Sequence, residues 1–78
     1  MIKKKYRIVY MNSDQLIRFI DYSSIWNAEE RFAEVWADFN TIYIALFIGP
    51  KKAISMSEFE SKPIRELERK PIDMGIPS

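Results

Sequence analysis

The stretch "TIYIALFIGPKK", residues 41–52, contains Ile42, Tyr43, Ile44, Ala45, Leu46, Phe47 and Ile48 in unbroken succession. Successive side chains of a strand point to opposite faces of a sheet. A strand built from this run is apolar on both faces. Ile42, Ile44, Leu46 and Ile48 line one face, and Tyr43, Ala45 and Phe47 line the other. Such a strand belongs inside a sheet and needs a cover on each side. Gly49-Pro50 then punctuates the run.

The segment before it supplies one cover. In "SSIWNAEERFAEVWADFN", residues 23–40, Ala28, Phe32, Val35, Trp36 and Phe39 fall on one helical stripe. Asn27 followed by Glu30 has the form of a capping box, with Ser24 a competing cap one turn earlier. Glu29 and Glu30 suit the positive end of a helix. Asn40 is expected as a left-handed C-terminal cap.

Two further strands precede the helix. "KKYRIVYM", residues 4–11, alternates, with Tyr6, Ile8 and Tyr10 opposed to Lys5, Arg7, Val9 and Met11. "NSD" supplies turn residues, and "QLIRFIDY", residues 15–22, completes a hairpin. Its inward face stays open, because Ile17 and Phe19 oppose Leu16, Ile20 and Tyr22, with Arg18 among the latter. After strand 3, "AISM", residues 53–56, reads as a short fourth strand. From Ser57 onward prolines and alternating charges dominate. Pro63 is placed to open a short helix over 63–70 with Ile64 and Leu67 as its apolar pair.

The order is ββαβ or ββαββ. This is a small α+β fold, with a mainly antiparallel sheet of three or four strands and one amphipathic helix packed on one face. Residues 1–56 form the expected domain. Residues 57–78 form a charged, proline-containing tail, with a short helix or extended, able to dock back on the sheet. A right-handed crossover through the helix makes strands 2 and 3 parallel, with strand 1 between them and strand order 2-1-3 or 2-1-3-4. The helix covers one face only. Burying a large apolar side chain is worth roughly 1.5–3 kcal/mol, so the second face invites a cover. The candidates are the tail (through Phe59, Ile64, Leu67 and Ile72), a second copy in a homodimer, or another protein. A face left partly exposed is the fourth possibility.

The chain has 78 residues, no cysteine and no histidine. Disulfides, cysteine-ligated zinc and histidine-based catalysis are excluded. Gly49 and Gly75 are its only glycines, so a phosphate-cradling loop is excluded too. Glu30, Glu34 and Asp38 form a straight helical stripe, which suits a solvated face better than a convergent metal site. No catalytic, cofactor or metal constellation is read from the chain. The apolar run Ile8–Met11 is too short for a signal peptide, and 42–48 is too short to cross a membrane as a helix. A soluble, cytoplasmic, non-enzymatic protein is expected.

Partner-binding residues are expected at Val9, Met11, Tyr43 and Phe47 on the second face, and at Trp26 before the expected helix cap. The alternative partner is nucleic acid. Lys3, Lys4, Lys5 and Arg7 precede the first acid, and antiparallel pairing of strands 1 and 3 brings Lys51 and Lys52 beside them. Tyr6 or Tyr10 would stack on bases. "YRIVY…LIRFIDYSS…AEERFAEVW…TIYIALFIG" resembles, in architecture and length over residues 6–48, very small ββαβ proteins of phages and mobile elements. Several of those bind and inhibit a host protein. The resemblance implies an accessory or inhibitory interaction module and carries over no functional residue.

Overall fold

A computed structural model describes residues 3–69. Strands β1 (Lys4–Asn12) and β2 (Ile17–Tyr22) form a hairpin, and helix α1 (Ile25–Trp36) leads to β3 (Thr41–Pro50). A fourth strand, β4 (Arg65–Glu68), returns beside β3. The sheet order is β2-β1-β3-β4, with each neighbouring pair antiparallel. No helix among the described residues is long and apolar enough to cross a membrane.

The hairpin turn is tight. The Gln15 amide donates to the Asn12 carbonyl at 2.8 Å, and the Leu16 amide donates to Asp14 Oδ1 at 2.9 Å. Gln15 sits at φ 66°, in the left-handed region. The second Asp14 oxygen takes Arg18 Nη2 at 2.9 Å, which ties the turn to β2.

The helix starts at the earlier of the two caps. Ser24 is extended and accepts the first helical bond through its carbonyl, from the Ala28 amide. Asn27 therefore lies inside the first turn, and Glu29 and Glu30 fall beyond it. The helix stops at Trp36, so Phe39 leaves the stripe and is 84 % exposed. Asn40 is not left-handed. The helix end is served by Arg69 instead. Its guanidinium donates to the carbonyls of Trp36, Asp38 and Thr41, and lies 3.9 Å from the centre of the Trp36 ring. A cation there satisfies orphan carbonyls and suits the negative helix end.

Residues 53–56 do not form a strand, and 63–69, the described part of the expected helix 63–70, do not form a helix. The Glu58 carboxylate accepts from the amides of Ile54 and Ser55, at 2.6 and 2.7 Å. Those amides are thus spent on a short 3-10 turn, Met56–Glu58. A helix over 63–70 would bury little through Ile64 and Leu67. The edge of β3 offers unpaired backbone groups instead. Ile64 donates to the Leu46 carbonyl and Arg69 to the Ile42 carbonyl, at 2.8 Å each, bracketing β4.

The core lies between α1 and one sheet face. Ile8, Ile44 and Leu46 pack with Ala28 and Phe32, ringed by Tyr6, Tyr10, Tyr22, Ile25, Val35 and Trp36. Arg65 lies over the Phe32 ring at 5.1 Å.

Candidate functional site

The second face is set by register. Arg7, Val9 and Met11 of β1 stand opposite Asp21, Phe19 and Ile17 of β2. They stand opposite Phe47, Ala45 and Tyr43 of β3 on the other side. Tyr43 and Ala45 in turn face Glu68 and Glu66 of β4. The inward face of β2 is thereby settled: Arg18, Ile20 and Tyr22 share the helix side, while Ile17 and Phe19 point away from it.

One end of this face is closed. Arg7 is only 4 % exposed. It donates from Nε to Asp21 Oδ1 at 2.7 Å and from Nη2 to Oδ2 at 2.9 Å. Its guanidinium lies 4.4 Å from the ring centre of Phe19 and 4.5 Å from that of Phe59. A planar cation suits both a carboxylate fork and two aromatic faces. The hydrogen bonds from Arg7 hold the Asp21 carboxyl below its ordinary range. Phe59, itself 5 % exposed, rests on Gly49. A Cβ at Gly49 would lie 2.8 Å from the Phe59 ring, so the close approach requires glycine. The segment first read as the start of a tail thus lies on the sheet through Phe59 and then joins it through β4. Ile64 is 47 % exposed, Leu67 stands opposite Ile44 on the helix side, and Ile72 lies outside the described residues.

The other end is bare. Ile17 is 70 % exposed and Phe19 60 %. Val9, Met11 and Tyr43 are half-buried beside them. The Tyr43 hydroxyl donates to Glu66 Oε2 at 2.6 Å. Burial first, and then the Glu66 carboxylate, push the Tyr43 phenol up to about 12. It therefore stays a neutral donor near pH 7.

Three of the five expected partner-binding residues, Val9, Met11 and Tyr43, come together here, while Phe47 shares the face but stands opposite Arg7 at its closed end. Trp26 does not join them. It stands exposed at the start of α1, on the element packed against the opposite face.

The basic residues divide as well. Lys4 and Lys5 pair with Pro50 and Gly49, which brings them to the Lys51-Lys52 turn. Lys4, Lys5 and Lys51 line a cleft of about 230 Å³ together with Asp21, Tyr22 and Ser23. Lys5 Nζ donates to the Ala53 carbonyl at 2.6 Å. Lys3 is exposed at the start of the described chain. Arg7 is set apart from these lysines by its burial against Asp21.

Ile17, Phe19, Glu66 and Glu68 escaped sequence reasoning. A signal for β2 was present. Arg7 and Asp21 form a complementary pair that only one hairpin register sets opposite, and cross-strand charge pairs favour such a register. That register exposes Ile17 and Phe19. No family model, curated protein or solved structure matches this chain, so the reading of its surfaces rests on its own residues.

Proposed function

We propose that this chain is a small non-catalytic protein-interaction module, of the accessory or inhibitor type found in phages and mobile elements, that engages its partner through the bare half of the second sheet face. The observation that supports this is the exposure of Ile17 and Phe19 beside Val9, Met11 and Tyr43 on paired strands. A contiguous apolar patch on a preformed surface is the usual mark of an interaction site. The strands also hold it rigid, which limits the entropy lost on binding. Photo-crosslinking tests the reading. A photoreactive residue at Ile17 is expected to capture a discrete protein partner in cells, and one at Asn27 on the exposed side of α1 is not. Identical adducts from both positions, or none from Ile17, would sink it.

A second reading is nucleic-acid binding at the lysine cleft. It is favoured by the meeting of Lys4, Lys5 and Lys51 around Tyr22, where the lining carboxylate of Asp21 is spent on Arg7. It predicts affinity that falls steeply with salt. Absence of binding to a single strand at low salt removes it.

A further inference from the structure

The bare half of the second face has a charge and a size, and together they describe an occupant. Arg7 and Asp21 cancel each other at the closed end. At the β4 border, Glu66 and Glu68 stand side by side on the same face as Tyr43 and Ala45. Neither makes an ion pair among the described residues. The border of the patch is therefore acidic, next to an apolar floor.

The patch fits one helix. From Arg7, which bounds the patch, to Met11 the strand runs about 14 Å at ~3.4 Å per residue, and the outer strands are about 14 Å apart at ~4.8 Å per spacing. An α-helix with its side chains is about 10–12 Å wide. The Phe59 segment blocks the Gly49 end, so a helix seated here crosses the strands rather than running along them. An extended strand added to the free edge of β2 would cover Ile17 and Phe19 but would not reach Tyr43. A second copy is a poor occupant. The helix α1 carries Glu29, Glu30 and Glu34 against Arg31 and spends its apolar stripe on the first face, so a second copy's helix would bring acid to an acidic border.

We propose that the bare half of the second face receives one amphipathic helix of a partner protein, apolar where it meets Ile17, Phe19 and Tyr43 and basic along the flank that meets Glu66 and Glu68. This rests on the interaction-face reading above and adds the chemistry of the partner. Apolar contact supplies the affinity, and the charges set orientation and exclude acidic helices.

The test uses the full chain and a library of helical peptides of about 18 residues, long enough to span the sheet. The apolar stripe varies among Leu, Ile, Met and Phe, and the flanks vary among Lys, Gln and Glu. Selected binders are expected to carry lysine along one flank. Their affinity is expected to fall about fivefold in the Glu66→Gln, Glu68→Gln double variant and to be lost in Ile17→Glu or Phe19→Glu. The second of these variants guards against misfolding of the other. Binders with neutral or acidic flanks, or binders indifferent to the double glutamine variant, overturn the partner chemistry. If Ile17→Glu still abolishes their binding, the interaction face itself stands. Binders that ignore both face variants, or no binders at all, overturn the face as well. Self-association of the chain that Ile17→Glu abolishes would assign the face to a second copy and also overturn the proposal.

Discussion

Ile8 and Arg7 are neighbours in β1, and both are buried, at 0 % and 4 % exposure. Ile8 points to the helix side and meets apolar groups only. Arg7 points to the other side, where an aspartate fork and two aromatic rings enclose it. The two faces of one sheet are thus closed by different means. The helix side is sealed over Ile8, Ile44 and Leu46 by the stripe of α1. The second side is sealed at one end by a polar contact that uses both Asp21 oxygens, and beyond Phe19 it is open. An ion pair with one partner buried and the other open to solvent adds little net stability against an apolar replacement, yet removing the exposed partner leaves the buried one without its hydrogen bonds. The closed end therefore fixes where Phe19 and Phe59 lie more than it strengthens the fold, and the open end is left available.

The contrast can be broken most severely from the helix side. Phe32 is 2 % exposed at the centre of the core. Phe32→Ala is expected to cost about 3–5 kcal/mol, enough to unfold a domain of this size. Trp36→Ala should cost less, since Trp36 is half-buried and partly covered by Arg69. A near-native urea melt for Phe32→Ala would mean that α1 is not the main cover.

On the second side, Asp21→Ala strands the buried Arg7 guanidinium and is expected to cost about 1–3 kcal/mol. Adding Arg7→Met should recover most of that loss, whereas no apolar partner change would rescue Phe32→Ala. The pair also sets a pH dependence. The folded Asp21 carboxyl is held below its unfolded value, so its contribution is present above the unfolded value, roughly pH 3.9. It is lost as pH falls through the lower folded value. Acid titration of stability should therefore be flatter in the Arg7→Met, Asp21→Ala double variant. Equal steepness would place the acid-sensitive group elsewhere.

Gly49→Ala sharpens the comparison by a similar amount. The added methyl meets the Phe59 ring at 2.8 Å and its Cα at 3.2 Å. Phe59 must shift, at a cost of about 1–3 kcal/mol. Intrinsic tryptophan emission, which reports from Trp36 and Trp26, should hardly change, while protease access near Phe59 should rise. The smallest effect belongs to Ile17→Glu. At 70 % exposure it should leave stability within about 0.5 kcal/mol of the parent. Light scattering over a concentration series is expected to give a monomer for both chains. A parent dimer abolished by Ile17→Glu would show the open end spent on self-association.

What the sequence determined by itself is what periodicity carries locally. The doubly apolar run of β3 demanded a central strand, the stripe from Ala28 to Trp36 demanded a covering helix, and the alternation in β1 separated Ile8 from Arg7. Strand order followed from chain connectivity and handedness. Tertiary structure alone decided the rest, because each of these features depends on what lies opposite. β2 carries apolar groups on both sides, and only its register against β1 turned Ile17 and Phe19 outward. Arg65–Glu68 has too little apolar content to declare a strand, and only the free edge of β3 made it one. Arg7 looked like one more surface cation among lysines. Asp21 and Phe19 of β2 and Phe59 from the segment before β4 took it out of solvent.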